Sequence, residues 1–131
     1  MSYRWVDHTA ELELHIDAPT EAGVFEDALA AITELLREGD RGKEACFDVA
    51  VAATDRATLL ATWLDELLFH AETEDLIPDE VEQLALTPGA LHATVRAHRG
   101  RPRHLVKGVT YHQLSFAPLD GGYRASVVLD V

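Results

Sequence analysis

The chain has 131 residues, of which 47% are hydrophobic and 26% charged, and this ordinary globular composition predicts one domain over residues 1–131. Its formal net charge of −12 disfavours a general nucleic-acid-binding protein, because Lys and Arg supply most non-specific affinity for phosphates. The single cysteine, Cys46, excludes an internal disulfide, and no apolar run is long enough to span a membrane, so we expect a cytoplasmic protein.

The N-terminal half alternates predicted strands and helices. Apolar and polar residues alternate over 12–16, which predicts a strand with one buried face. Thr20 can cap a helix with an apolar period of about 3.6 residues, and we expect that helix to end at Gly39. A second alternating segment leads to Thr54 or Asp55 as the cap of the next helix. That helix has the broadest apolar stripe and should be the main core element.

The C-terminal half is predicted to be strands. A turn at Pro88-Gly89 joins two alternating segments into a hairpin, and a turn at residues 120–122 joins 109–117 to the last strand, 123–131. The resulting order, β-β-α-β-α followed by antiparallel strands, predicts an α+β fold. We expect a mostly antiparallel sheet with the two main helices packed on one face.

The first candidate site is the segment Asp7-His8-Thr9-Ala10-Glu11, which precedes a predicted strand. Asp7 and Glu11 are hard oxygen donors, and clustered carboxylates repel one another unless a cation, a base or a proton intervenes. A solvated acidic turn, in which Asp7 caps nearby backbone amides, is the alternative interpretation. The segment alone does not decide between them.

The end of the chain carries the second candidate. Asp130 lies on the polar face of the last predicted strand, next to the carboxylate of Val131. If that strand pairs near the first one, Asp130, Asp7 and Glu11 converge into an oxygen-lined pocket suited to calcium, magnesium or manganese. Glu66, on the long helix, is a further ligand if the helix end borders this pocket. Otherwise Glu66 and its neighbour Asp65 belong to the solvated face of the helix.

A third candidate combines a flexible cation, Lys107, with Gly108 and with His112, which can exchange protons near neutral pH. This segment could contact a phosphate or a partner protein, or Lys107 and His112 could be ordinary surface residues. The preceding stretch from Arg96 to Lys107 is basic but has no interleaved aromatic residues, so a phosphate clamp and a solvated hairpin tip are both possible.

Four ordered segments together resemble the archease family: YRWVDHTAE at residues 3–11, WLDELLF at 63–69, VKGVTYH at 106–112 and VVLDV at 127–131. The resemblance implies a protein cofactor, not itself an enzyme, of the GTP-dependent RNA ligase. That ligase joins tRNA halves after intron removal and repairs broken RNA. The cofactor is expected to promote guanylylation of the ligase and its multiple turnover in tRNA splicing, so that tRNA is a partner only through the ligase.

The resemblance also implies site residues. Glu11 and Asp130 would be the leading ligands of a divalent metal ion, with Asp7 and His8 in or beside the site and Lys107 near it. The family pattern has Asp where this chain has Glu11, so the carboxylate reaches one methylene further and the affinity or metal preference can differ. No membrane partner is expected, and self-association into a homo-oligomer stays open.

Two other functions fit the same residues. One is a stand-alone metal-dependent phosphoesterase, in which His8 or His112 serves as acid or base. The other is a metal-stabilised, chaperone-like binding module, in which the ion orders the chain ends and performs no chemistry. Hydrolysis of phosphate esters by the protein alone would favour the first. Metal-dependent melting without any effect on a ligase would favour the second.

Overall fold

The structure is a computed structural model that describes residues 2–8, 10–39, 41–103 and 106–131, with only the backbone of His8. Its elements are, in chain order, β1 (Ser2–His8), β2 (Glu11–Ala18), α1 (Glu21–Leu36), β3 (Glu44–Ala52), α2 (Arg56–Glu74), β4 (Leu76–Thr87), β5 (Ala90–Arg99), β6 (Gly108–Leu119) and β7 (Gly122–Asp130). The predicted order of strands and helices is therefore confirmed.

The strands form two sheets, with orders β1-β2-β7-β6 and β3-β5-β4, and every pairing between neighbouring strands is antiparallel. The predicted α+β class and antiparallel pairing are confirmed. The strands divide between two sheets, and each helix packs against strands of both. No helix in the described part of the chain is long and apolar enough to cross a membrane.

The four-stranded sheet has one buried face. Leu14 and Ile16 of β2 and Val127 of β7 have no exposed surface, as the alternation in the sequence predicts. The alternate residues of β2, from Glu11 to Asp17, point to the opposite side, which we call the outer face. On β2 the outer face carries the polar side chains.

The helices begin at the predicted caps. The Thr20 hydroxyl accepts a hydrogen bond from the Gly23 amide at 3.0 Å, and the Asp55 carboxylate accepts one from the Thr58 amide at 2.7 Å. Asp55, not Thr54, is therefore the cap of α2. α1 ends at Leu36, earlier than the predicted Gly39, because the chain turns extended at Arg37.

A fully buried Trp63 joins the two helices, because its indole N–H donates to the Phe25 carbonyl at 3.0 Å. Burying an aromatic ring of this size contributes several kcal/mol, roughly 3 or more as judged from large-to-small substitutions. α2 is consequently anchored to α1, and it also packs against β6.

Candidate functional site

The register of the four-stranded sheet sets Glu11 of β2 directly opposite Asp130 of β7. His8 of β1 is the cross-strand partner of Glu11, and Gly108 of β6 is the partner of Asp130. Residues directly opposite in an antiparallel pair have Cβ atoms about 5 Å apart on the same face of the sheet. These four positions form one line across all four strands, which we call the carboxylate row.

Two main-chain hydrogen bonds fix the ends of the strands at the carboxylate row. The Lys107 amide donates to the Asp130 carbonyl at 2.7 Å, and the Val131 amide donates to the Ala10 carbonyl at 3.1 Å. Val131 thereby continues the pairing one residue beyond the row, and the exposed Lys107 stands next to it. These main-chain bonds hold Lys107 and Val131 beside the carboxylate row.

Helix α2 also holds this end of the sheet. The Asp65 carboxylate accepts a hydrogen bond at 3.3 Å from the amide of Val109, the residue after Gly108. Partial desolvation of the carboxyl group against β6 raises the pKa of Asp65; the bond from Val109 lowers it and the charge of Glu66 raises it further. Asp65 was expected on the solvated face of the helix; it is exposed, but it also contacts the strand through the Val109 amide.

Three of the predicted residues lie outside the carboxylate row. Asp7 pairs with Leu12, one position along from the row, so strand alternation turns its side chain to the opposite face from Glu11. His112 is exposed within a bulge of β6, where the register shifts between residues 110 and 115. Glu66 points along its own helix and lies 3.7 Å from His70 Nε2. Of the predicted set, the structure therefore brings together Glu11, Asp130, Lys107 and Val131, with the backbone of His8 beside Glu11.

The donor set of the row fits a hard divalent cation. Within the described residues, no group of three or more His, Cys, Asp and Glu side chains is arranged to hold a metal ion. The row instead offers the two carboxylates of Glu11 and Asp130. Mg²⁺ in particular is commonly bound by one or two carboxylates, with water and phosphate oxygens completing its shell.

An ion cluster around Asp79 was not expected from the sequence. His98 is only 2% exposed, and its Nδ1 lies 2.8 Å from an oxygen of Asp79. Arg41 and Arg37 reach the same carboxylate at 2.7 and 3.6 Å. The hairpin pattern could not have shown this contact, because two register shifts in β4 set Ile77 opposite His98 and leave Asp79 at an irregularity.

The basic stretch that begins at Arg96 is partly committed to such structural contacts. Arg96 pairs with Glu80 at 2.8 Å, and Arg99 donates to the Glu74 carbonyl at 3.0 Å. His104 and Leu105, in the middle of the stretch, lie outside the described residues. Arg96 therefore links two strands of the three-stranded sheet and Arg99 links β5 to the end of α2, while Lys107 lies at the carboxylate row.

The chain is similar in sequence to one protein family. Residues 3–131 match the family described as the Archease protein family (MTH1598/TM1083). The chain is 34% identical over 118 residues to protein archease of Methanothermobacter thermautotrophicus, covering 82% of this chain and 83% of that protein. It is 28% identical over 144 residues to protein archease of Methanosarcina barkeri, covering 98% and 95%.

Two solved structures share the fold. The solution structure of Methanobacterium thermoautotrophicum protein MTH1598 superposes with a TM-score of 0.72 at 28% identity, covering 98% of both chains. A Thermotoga maritima crystal structure, described as an archease and possible chaperone, superposes with a TM-score of 0.70 at 17% identity, covering 96% of this chain and 94% of that one. Because the family match extends over almost its whole length, the chain belongs to the archease family.

Proposed function

We propose that this protein is an accessory factor that activates a GTP-dependent RNA ligase, promoting its guanylylation and multiple turnover in tRNA splicing and RNA repair. The proposal includes a divalent cation held by Glu11 and Asp130 at the ligase surface. The observation that carries it is the β2–β7 register, which sets these two carboxylates directly opposite each other. Family membership supports the choice of partner.

The carboxylate row has a physical reason to take up a cation. Like charges directly opposite in an antiparallel pair destabilise the sheet by up to about 1 kcal/mol. Glu11 and Asp130 are both half-buried, so water screens their repulsion less than it would at a fully exposed position. A bound divalent cation would remove that repulsion and supply positive charge for the phosphate oxygens of a nucleotide.

Lys107 supplies a second positive charge at the same place. Its amide is fixed to the Asp130 carbonyl while its side chain is exposed, so the ammonium group can extend toward a phosphate beyond the row. Glu11 lies on β2, Asp130 lies at the end of β7, and Lys107 lies immediately before β6. The two sides of the site are therefore positioned by different strands of one sheet.

The test is RNA joining by limiting ligase with GTP, in the presence of the wild-type protein or of Glu11→Ala, Asp130→Ala and Lys107→Ala. We expect each variant to lower the multiple-turnover rate about tenfold or more, a size typical of lost metal-site interactions. Glu82→Ala is the control. Glu82 is an exposed carboxylate on β4 of the three-stranded sheet, away from the carboxylate row, so this variant should retain full activation.

Equal guanylylation of the ligase with and without this protein would refute the proposal. The same preparation, assayed without ligase on simple phosphate esters, separates the accessory role from a phosphoesterase. We expect no hydrolysis above that of the Asp130→Ala variant.

A further inference from the structure

The outer face of the four-stranded sheet contains a second polar feature, a cavity of about 390 Å³ at the end away from the carboxylate row. Its lining residues are Arg4, His15, Asp17, Ser115, Arg124 and Ser126. Four of them form a single cross-strand line: Arg4 is opposite His15, His15 is opposite Ser126, and Ser126 is opposite Ser115. The cavity therefore has a wall from every strand of the sheet.

The charge of this cavity is opposite to that of the chain as a whole. Arg4 is exposed and, within the described part of the chain, has no ion pair or side-chain hydrogen bond. Arg124 donates through Nε to Asp17 at 2.8 Å, and both side chains are more than half exposed. Two arginines against one aspartate leave the lining with net positive charge, on a protein whose formal charge is −12.

The other lining groups add hydrogen-bond donors. Ser115 and Ser126 present hydroxyl groups from adjacent strands at the same register position. The His15 ring stands between Arg4 and Ser126, with its Nε2 3.4 Å from Glu13. Guanidinium and hydroxyl donors in one concave surface are the groups that recognise phosphate oxygens, since Arg donates two parallel hydrogen bonds to them.

The position of the cavity relates it to the carboxylate row. His15 follows Glu11 by four residues on β2, which corresponds to about 14 Å along the same face of the sheet. One cross-strand line, with Glu13 opposite the buried Val128, separates the two. A ligand with several phosphate groups could thus reach both features without leaving the outer face.

We propose that Arg4, His15, Ser115, Arg124 and Ser126 form a binding subsite for a phosphate group, carried by an RNA strand or by a nucleotide. Arg4 is the main anchor, because none of its donors is committed elsewhere, and Arg124 and the serine hydroxyls complete the contact. The link between this subsite and ligase activation rests on the proposed function. Phosphate binding itself does not.

The test is an NMR amide-shift titration of the full chain with EDTA present and no ligase. The probes are inorganic phosphate, GTP and a terminally phosphorylated single-stranded RNA. We expect saturable shifts at the five subsite residues, and a Kd raised about tenfold or more in Arg4→Gln and in Arg124→Gln, since charge-assisted hydrogen bonds to phosphate are strong. Lys43→Gln removes one exposed positive charge outside the cavity and should change Kd less than about twofold.

The three probes identify the source of the phosphate. Tightest binding of RNA would assign the subsite to a strand, tightest binding of GTP would assign it to a nucleotide, and equal binding would assign it to the phosphate group alone. The absence of saturable shifts with every probe would overturn the proposal. So would equal weakening by Arg4→Gln and Lys43→Gln, because that result shows attraction to overall charge. Neither outcome bears on the ligase assay, which depends on the carboxylate row.

Discussion

Asp27 is a buried carboxylate on α1. It is only 6% exposed, and its Oδ2 atom has no hydrogen-bond partner within the described residues. Burial raises the pKa of Asp27 above its usual value, and the charge of Glu26 adds to that effect. The pKa of Tyr3 is also raised, to about 12. Burial is the main cause, and the hydrogen bond to Glu34 and the charge of Asp27 add to it.

The raised pKa of Asp27 predicts how the free energy of unfolding depends on pH. A carboxyl group with a higher pKa in the folded state contributes stability that is fully present below the unfolded value of 3.8 and is lost as the pH rises through the folded value. Asp27→Asn should therefore raise the free energy of unfolding at pH 7 by about 1 kcal/mol. The gain should shrink as the pH falls toward the unfolded value.

Urea denaturation at several pH values measures this difference. The control is Asp48→Asn on an exposed strand position, which keeps an acceptor for the Thr94 hydroxyl and should be neutral. A gain that is the same at every pH would show that the ionisation of Asp27 is not its cause.

At the scale of elements, the Thr20 cap determines where α1 begins. Its hydroxyl satisfies the Gly23 amide, which would otherwise be an unpaired donor at the helix start. Thr20→Ala should lower the free energy of unfolding by about 1 kcal/mol, measured by thermal or urea denaturation. Thr73→Ala, which removes a hydroxyl bonded to the Phe69 carbonyl inside α2, should change it by less than about 0.5 kcal/mol. Equal effects of the two changes would show that the cap has no special role.

Local patterns predicted most of these elements. The alternation over 12–16 and the turn at 120–122 specified strands β2 and β7, because a half-buried strand leaves its period in the sequence. The end of α1 was predicted at Gly39, whereas the helix ends at Leu36. A glycine indicates a change of chain direction, and here that change comes three residues after the helix end. Gly39 does have a positive φ of 69°.

The division of the strands into two sheets could not be predicted in the same way. Which strands pair depends on contacts between residues far apart in sequence, such as Glu11 with Asp130, and a period of two says nothing about the partner. The side on which Asp7 falls follows from the same kind of information. His8 pairs with Glu11, so Asp7, one residue earlier on β1, lies on the other face.

At the scale of the whole molecule, the outer face of the four-stranded sheet carries both candidate binding features. The carboxylate row lies at one end, and the cavity around Arg4 lies about 14 Å away at the other. The helices occupy the buried side, and Asp65 of α2 fixes the strand that carries Gly108. The fold thus presents the carboxylate row and the basic cavity on one surface.

The most direct measurement of the central claim is Mn²⁺ binding to the protein alone, followed by electron paramagnetic resonance of the free ion. The account predicts one ion per chain for the wild type, binding weakened about tenfold or more in both Glu11→Gln and Asp130→Asn, and unchanged binding in Asp17→Asn. Binding that survives both carboxylate changes, or that is lost equally in Asp17→Asn, would contradict it.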